Sequence, residues 1–394
     1  MASSHLIPLR SEPPVPFAIT RLGVIMSPQE NAPFEAEGVL NPAAVRGPDG
    51  ELYLFPRLVA RGNYSRIGIA RVRFNDDGDP VGVERLGIAL EPREPYEKRP
   101  DGGGVEDPRI TYLAALQRFV MTYTAWSPVG PRIAMAVSKD LFTWERLGLV
   151  QFERGQADFD RVDNKDAVLF PALISDPQGI PSLALLHRPL FPGTKPEEVW
   201  ADLRREMPAS AGPADTGPAE SRVARRRLRH ESIWLSYCHE PLERFEACRF
   251  GRHRRLLSPR ASWERIKVGV GAPPVLTRHG WLVIYHGVGG RLDRTKVRYS
   301  AGAMVLDPQH PEHIRYRSAH PILAPGADER QGIVPDVVFP TGVDQRTDLG
   351  QPDRIDVYFG MADDRIGVGV LHVPEVLPEI LHGVHARRDA ESAA

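Results

Sequence analysis

The chain has 394 residues, of which 42% are hydrophobic and 26% are charged, as in an ordinary soluble globular protein. Its formal net charge of −1 gives no overall field for nucleic acid or an anionic membrane, so a local cluster must hold any bound anion. The two cysteines, Cys238 and Cys248, are too few for a disulfide framework and fit a reducing compartment. Without a secretory signal or an apolar run near about 18 residues, the sequence predicts a cytoplasmic protein that does not cross a membrane.

Read from the N-terminus, the sequence predicts one large domain together with an N-terminal arm, an insertion and a C-terminal tail. Residues 1–16 are rich in proline and predict a flexible N-terminal arm, and residues 17–30 predict a strand. Short β-patterned runs separated by turn residues fill residues 17–380, which we assign to one catalytic domain. An Ala-, Gly- and Pro-rich stretch at about 189–231 predicts an insertion. Residues 381–394 predict a polar C-terminal tail.

The most informative pattern is a repeat of five units. In each unit a short Pro- or Asp-bearing anchor precedes an aromatic, strand-like run and then a run rich in glycine and alanine. We take five anchor positions as equivalent, and the intervals between them are 66, 59, 107 and 63 residues. These positions are Asn41, Asp107, Asp166, Pro273 and Asp336. Small antiparallel units of this length cannot bury their own faces, so the repeat predicts an all-β fold that is a five-bladed β-propeller. Equivalent anchors would then converge on one funnel.

The sharpest local motif is GVEDPRI at residues 104–110. Glu106 and Asp107 stand at the start of a strand-like run, and Pro108 fixes the geometry of entry. Taken alone, the motif is typical of an Asx turn before a strand. The three glycines at 102–104 allow close backbone approach and favour a ligand site.

Two further groups of polar residues stand out, the first at the ends of predicted inner strands and the second at matching positions in the first and fifth units. The first combines three cations with a histidine and a tyrosine, which would suit a small dianion such as phosphate. Its members are Lys165, Arg188, Lys267, His286 and Tyr299. The second group would suit sugar hydroxyls, although salt bridges between neighbouring blades explain its spacing equally well. Its members are Asn41, Arg57, Arg61 and Asp363.

Several sequence blocks that contain these residues, taken in order along the chain, resemble glycoside hydrolase family 130, the β-mannoside phosphorylases and related mannosidases. The resemblance covers about residues 35–375 and rests on blocks such as RLVARGNYSRIGIAR, GVEDPRI, NKDAVLFP, LLHRP, VGAPPV, WLVIYHGV and YFGMADDRIG. The family's fold is a five-bladed β-propeller. The resemblance therefore implies the fold that the repeat predicts.

The resemblance also implies a reaction and roles for the residues. Asp107 would be the proton donor, acting through the 3-hydroxyl of mannose, and inorganic phosphate would attack the anomeric carbon with inversion. The products from a β-mannoside would be α-mannose 1-phosphate and a shorter sugar. Lys165, Arg188, Lys267, His286 and Tyr299 would bind phosphate. Asn41, Arg57 and Asp363 would bind the mannose, with Arg61 as a further member of that group.

Two other functions stay open at this stage. A β-mannosidase on the same fold would use water, with Glu106, Asp336 or Asp364 as the base. A non-catalytic carbohydrate-binding propeller would use the same sugar contacts without turnover. The expected partners are a β-mannoside oligosaccharide and phosphate, with no cofactor, metal, nucleic acid or membrane. The linkage, the acceptor sugar and assembly into a homo-oligomer are left open.

Overall fold

The computed structural model describes residues 15–154, 158–191, 231–240, 242–290 and 297–377. The predicted arm at 1–16 and the predicted insertion at 189–231 lie almost entirely outside these residues, and the predicted tail at 381–394 lies wholly outside them. These three segments, and the division into one domain with additions, stay predictions.

The described residues form an all-β fold with only short 3-10 helices. The strands are β1 (Ile19–Met26), β2 (Val39–Arg46), β3 (Leu52–Ala60), β4 (Tyr64–Phe74), β5 (Pro80–Leu90), β6 (Gly103–Leu113), β7 (Arg118–Ser127), β8 (Gly130–Ser138), β9 (Glu145–Leu149), β10 (Gln151–Phe152), β11 (Asp163–Leu169), β12 (Ile174–Ser175), β13 (Pro181–Leu190), β14 (Ile233–Cys238), β15 (Arg249–Leu257), β16 (Lys267–Val270), β17 (Val275–Thr277), β18 (Gly280–Gly290), β19 (Val297–Leu306), β20 (Ile314–Arg317), β21 (Val338–Gln345), β22 (Arg354–Met361) and β23 (Arg365–His372). The 3-10 helices cover Pro33–Glu35, Pro95–Glu97, Leu242–Ala247, Ser262–Glu264, Asp328–Arg330 and Thr347–Leu349.

The strands pair into four sheets. The largest sheet divides into two antiparallel meanders, β2–β5 and β6–β9, because only Tyr64–Gly103 and Ser65–Gly104 join them, as parallel pairs. The other sheets are built around β11, β13, β14 and β15, around β16, β18, β19 and β20, and around β21, β22, β23 and β1. There are thus five antiparallel units in chain order, which matches the number of sequence repeats.

Most neighbouring units pack through their first strands, and the fourth unit contacts the last through β18 and β19. Strand β2 contacts β6 and β21, β11 contacts β6 and β16, and β19 contacts β21. The first unit therefore touches both the second and the last. Strand β1 pairs antiparallel with β23, so the predicted strand near the N-terminus is present and completes the sheet of the last unit.

The hydrophobic core lies between the units. Phe170 and Leu186 of the third unit, for example, pack in one buried cluster with Val268 and Trp281 of the fourth. This arrangement explains why strands such as β18 are buried along almost their whole length. Burying each large apolar side chain contributes about 1.5–3 kcal/mol, and most of that burial requires a neighbouring unit.

Four of the five predicted anchors share an unusual backbone conformation. Asn41, Asp107, Asp166 and Asp336 have φ angles of 47°, 47°, 52° and 62°. Asparagine and aspartate adopt this left-handed conformation more readily than other residues with a Cβ atom. The fifth anchor, Pro273, is not equivalent to them, because the proline ring holds φ near about −65°. The equivalence taken from the sequence is wrong at this position.

Cys238 and Cys248 are joined as a disulfide, with their Cα atoms 6.1 Å apart. One such bond is not a framework of several disulfides, but it does not fit the reducing compartment expected from the cysteine count. No helix among the described residues is both long enough and apolar enough to span a membrane. The cytoplasmic location stays a prediction.

Candidate active site

Asp107 is the centre of a buried polar group contributed by the first two units. Asn41 Nδ2 donates a hydrogen bond of 2.8 Å to Asp107 Oδ1. Arg57 reaches the same oxygen through Nη1 at 3.4 Å and donates through Nη2 to Glu106 Oε1 at 2.8 Å. Strand pairing places Arg57 opposite Leu40, so β2 and β3 bring Asn41 and Arg57 to the same end of the unit. Two residues of the first unit thus meet at the carboxylate of Asp107 in the second unit.

The two adjacent carboxylates have opposite pKa shifts. Burial acts to raise the pKa of Asp107, but the positive charges of Arg57, Lys165 and Arg109 outweigh it, and the pKa lies below its ordinary value. Burial raises the pKa of Glu106, and Arg57 only partly offsets that effect. Within the pair, Asp107 is therefore the carboxylate that ionises first.

Lys165 connects the Asp107 group with a second cluster of charges. Its Nζ lies 3.8 Å from Asp107 Oδ2. Lys165 directly precedes the buried Asp166 and pairs with Arg188 across strands β11 and β13. A cation therefore stands between the Asp107 carboxylate and the residues around Asp166.

Asp166 lies at the centre of this second cluster. Its Oδ2 accepts a 2.6 Å hydrogen bond from Arg188 Nε and lies 3.5 Å from His286 Nε2. Arg109 Nη2 lies 4.0 Å from Oδ1 of the same carboxylate. Burial acts to raise the pKa of Asp166, but the positive charges of Arg188, Lys165 and Arg109 dominate and hold it far below the ordinary range. Arg188 also pairs with Glu231, so two carboxylates fix its guanidinium.

His286, Tyr299 and Lys267 complete the cluster. The His286 ring is fully buried, stacks on Tyr299 at 6.0 Å between ring centroids, and packs on Phe339 at 4.4 Å. Lys267 Nζ lies 5.4 Å from the centroid of the Tyr299 ring. Burial lowers the pKa of His286 well below its ordinary value, and Asp166 only partly opposes this effect.

Asp363 lies beside the Asp107 group, in the turn between β22 and β23. Burial raises the pKa of Asp363 to about 6, while the charge of Arg57 acts to lower it. On the neighbouring strand, a Cβ atom at Gly360 would lie 2.2 Å from Asn41 Oδ1. Position 360 therefore requires glycine if Asn41 is to keep its place. Asn41 Oδ1 itself is buried and has no hydrogen-bond partner among the described residues.

The structure brings together all the predicted site residues except Arg61. Arg61 is exposed in the turn between β3 and β4, and no hydrogen bond or ion pair among the described residues joins it to the others. Its grouping with Asn41, Arg57 and Asp363 therefore gains no support from the geometry. The roles of the remaining residues stay predictions.

Three residues of the site were not selected from the sequence. Asp166 occupies an anchor position next to the predicted ligand Lys165, so the repeat could have identified it as a site residue. Arg109 lies within the GVEDPRI motif and donates to the main-chain oxygens of Asp107 and Gly271. Glu231 borders the predicted insertion, and no sequence pattern pointed to it.

Comparison with known proteins identifies the family. The sequence model of glycoside hydrolase family 130, described as beta-1,4-mannooligosaccharide phosphorylase, matches residues 16–186 and 219–381. The chain belongs to glycoside hydrolase family 130. The two matched ranges leave out 187–218, which falls mostly within the predicted insertion.

Named relatives agree with this assignment. A 1,2-beta-oligomannan phosphorylase from Thermoanaerobacter sp. is 28% identical over 89% of this chain and 96% of its own length. Among solved structures, the beta-1,2-mannobiose phosphorylase of Listeria innocua, in complex with beta-1,2-mannobiose, gives a TM-score of 0.64. It is 22% identical, and the alignment covers 90% of this chain and 96% of that one. A third match, with a TM-score of 0.64, 21% identity and coverage of 93% and 96%, belongs to a study of family 130 glycoside hydrolases that target beta-1,2 mannosidic linkages in Candida mannan. The two structures share the all-β fold of this chain.

Proposed function

We propose that this protein is an inverting glycoside phosphorylase that cleaves β-mannosides with inorganic phosphate, giving α-mannose 1-phosphate and a shorter sugar. Membership of glycoside hydrolase family 130 and the names of the relatives support a phosphorylase of β-mannosides. Phosphate is the co-substrate in this proposal, and no other cofactor is assigned.

The observation that carries the proposal is the position of Lys165 between two functional groups. On one side is Asp107 with Asn41 and Arg57, and on the other is the cluster of Arg188, Lys267, His286 and Tyr299 around Asp166. An acid and an anion site that share a cation suit a reaction in which phosphate attacks as a proton reaches the leaving group. Phosphate is already a competent nucleophile, so the site must bind and align it rather than activate water.

The balance of charge identifies the cations that are free to hold phosphate. Glu106 and Asp107 neutralise much of the charge of Arg57, and Asp166 and Glu231 do the same for Arg188. Lys165 has only the longer contact with Asp107, and Lys267 forms no ion pair with any described residue. In the proposed function these two lysines provide most of the charge that binds phosphate.

Asp107 serves as the proton donor, and the 3-hydroxyl of the bound mannose relays its proton to the glycosidic oxygen. The lowered pKa leaves Asp107 ionised at neutral pH in the free protein, so this role requires that ligand binding raise the pKa. A phosphate dianion beside Lys165 offsets the positive charge that holds the pKa down, so bound phosphate favours protonated Asp107. Asn41, Arg57 and Asp363 hold the mannose near this carboxyl group.

Hydrolysis by water is the second candidate, because a structurally similar protein comes from a study of glycoside hydrolases within the family. Glu106 is the candidate base that lies nearest to Asp107 in sequence. Arg57 contacts the carboxylates of both Glu106 and Asp107, so the two groups lie side by side. An inverting hydrolase instead needs its base on the opposite face of the sugar from its acid. This geometry favours phosphorolysis.

We also infer that the five units close into a five-bladed propeller, with residues 17–380 as one catalytic domain. The contact of β2 with β21, together with the pairing of β1 with β23, supports closure between the first and last units. A cytoplasmic location and the absence of nucleic-acid and membrane partners belong to the same proposal.

The test is a paired assay on β-1,4- and β-1,2-linked mannobiose, mannosyl-glucose and mannosyl-N-acetylglucosamine, with and without phosphate. Both linkages are needed, because the family description names β-1,4 substrates whereas the relative from Thermoanaerobacter is named for β-1,2. Phosphate-dependent release of mannose 1-phosphate would support the proposal and identify the acceptor. Free mannose released at the same rate without phosphate would establish hydrolysis instead.

A further inference from the structure

The buried imidazole of His286 has one nitrogen that faces a carboxylate and another that faces no hydrogen-bond partner among the described residues. Nε2 lies 3.5 Å from Asp166 Oδ2, and the side chain is fully buried. Neither ring nitrogen has a hydrogen-bond partner among the described residues. A buried polar atom without a partner is costly, so Nδ1 requires an explanation.

The chemistry of Asp166 determines which nitrogen of His286 carries the proton. An ionised carboxylate only accepts hydrogen bonds, so the nitrogen that faces it is the one that bears hydrogen. Asp166 is held in its ionised form by Arg188 at 2.6 Å and by Arg109 at 4.0 Å. Burial also keeps the ring neutral by lowering its pKa. Neutral His286 therefore carries its proton on Nε2, and Nδ1 is an acceptor.

We propose that Asp166 fixes the proton of His286 on Nε2, so that Nδ1 accepts a hydrogen bond from the P–OH group of hydrogen phosphate. The site thereby selects hydrogen phosphate over tetrahedral dianions that carry no proton, such as sulfate. This inference rests on the proposed function, which places phosphate beside His286. Asp166 is in this view a positioning residue, since it acts through His286 and Arg188 rather than on phosphate itself.

The selection has a consequence for the reaction. Hydrogen phosphate at neutral pH has one protonated and three unprotonated oxygens. If Nδ1 accepts from the protonated oxygen, the three unprotonated oxygens are left for the lysines, for Arg188 and for attack on the anomeric carbon. The cations alone cannot provide this discrimination, because Lys165 and Lys267 attract phosphate and sulfate dianions by the same charge.

The test is titration calorimetry on the full chain with inorganic phosphate, arsenate and sulfate as probes. Arsenate keeps an As–OH proton at neutral pH and should bind as phosphate does. Sulfate, which has the same charge and shape but no proton, should bind about tenfold more weakly or worse, because its oxygen would face an acceptor lone pair. Equal binding of sulfate and phosphate by the unaltered protein, or no binding of phosphate, would overturn the inference.

Substitution of Asp166 distinguishes a role in positioning the His286 proton from a general effect on the stability of the protein. Asp166→Asn places an amide beside Nε2, so the proton of His286 can move to Nδ1, and the ratio of sulfate to phosphate affinity should rise about tenfold. The matched control is Glu264→Gln, which removes a buried carboxylate that contacts Tyr285 and Arg317 but no predicted phosphate ligand, and it should leave the ratio unchanged. If Asp166→Asn weakens phosphate binding but leaves the ratio of sulfate to phosphate affinity unchanged, Asp166 only orients Arg188, and the inference about His286 is wrong.

The binding experiment is independent of turnover. Selective binding of phosphate by a protein that forms no mannose 1-phosphate would contradict the proposed function and leave this inference standing. Phosphorolysis by a protein that binds phosphate and sulfate equally would support the proposed function and contradict this inference.

Discussion

Asn41 and Asp107 are 66 residues apart in the chain and are joined by a hydrogen bond of 2.8 Å from Asn41 Nδ2 to Asp107 Oδ1. Both have a φ angle of 47°, and both interrupt the first strand of their unit. The bond therefore joins equivalent positions of neighbouring units. It holds the Asp107 carboxyl group in a fixed orientation and leaves Asn41 Oδ1 available to a ligand hydroxyl.

Replacing Asp107 by Asn should abolish most of the turnover. The amide keeps the size of the side chain but cannot donate the proton, and loss of a general acid costs about 10²-fold or more in rate. The measurement is the rate of mannose 1-phosphate formation under saturating phosphate, with circular dichroism to verify the fold. Unchanged turnover would show that Asp107 is not the proton donor, whereas no turnover by the unaltered protein would favour a carbohydrate-binding propeller without catalysis.

Replacing Lys267 by Ala should raise the KM for phosphate far more than the KM for the mannoside. Lys267 forms no ion pair with the described residues, so its charge is available to phosphate. We expect an increase of roughly tenfold or more in the phosphate KM, about 1.4 kcal/mol of binding free energy. Lys139→Ala is the matched control, because Lys139 is exposed and contacts none of the site residues. Equal effects on both KM values would contradict the assignment of Lys267 to phosphate.

Replacing Asp363 by Asn should stabilise the protein at neutral pH while weakening mannose binding. The pKa of Asp363 is raised from 3.8 to about 6 in the folded protein, so between these values the folded state holds a proton that the unfolded chain has lost. The stability from this group is complete below about pH 4 and is lost as the pH rises through about 6. The asparagine variant avoids this loss, which amounts to at most about 3 kcal/mol.

The measurement for Asp363→Asn is urea unfolding of the variant and the unaltered protein at about pH 4 and about pH 7.5. The stabilisation should appear only at the higher pH, and the KM for the mannoside should rise there. The same difference in the free energy of unfolding at both pH values would show that burial of the charge is not its cause.

Replacing Asp344 by Asn should weaken the contact between the first and last units. Arg46 of β2 donates to both oxygens of Asp344 in β21, at 2.9 and 2.6 Å, across 298 residues of sequence. Burial raises the pKa of Asp344 although Arg46 acts to lower it, so desolvation of the carboxylate offsets part of the pairing energy. The amide of Asn can accept only one of the two Arg46 bonds, and the guanidinium loses a charged partner, so the substitution should still cost about 1–2 kcal/mol of unfolding free energy. The matched control is Glu84→Gln, which breaks an exposed pair with Arg71 inside the first unit and should cost less than about 1 kcal/mol.

The midpoint of urea unfolding measures this difference. Equal losses from Asp344→Asn and Glu84→Gln would mean that the Arg46–Asp344 pair does not stabilise the contact between units. Neither substitution touches the candidate active site, so mannoside cleavage should persist in both variants.

Most residues of the candidate site that belong to the repeat were predicted from sequence, although Asp166, which occupies an anchor position, was not. The anchors and the strand ends identified Asn41, Arg57, Asp107, Lys165 and His286, because a repeated backbone geometry places equivalent positions at the same end of every unit. Arg61 was predicted on the same basis, but the structure does not bring it together with the other site residues. It lies in a turn, where strand pairing does not fix the direction of a side chain.

The sequence by itself determined the all-β fold, the number of units and most residues of the site, because strand patterning and turn chemistry are local properties. Only the tertiary structure decided how the charges are paired. Asp166 meets Arg188 of its own unit, Arg109 of the second unit and His286 of the fourth, and Glu231 meets Arg188 across the predicted insertion. Pairing between side chains of different units depends on how those units pack, and packing depends on side chains throughout the chain. The sequence identified the cations, whereas the structure established that Asp166 and Glu231 neutralise Arg188 and that Lys267 forms no ion pair with any described residue.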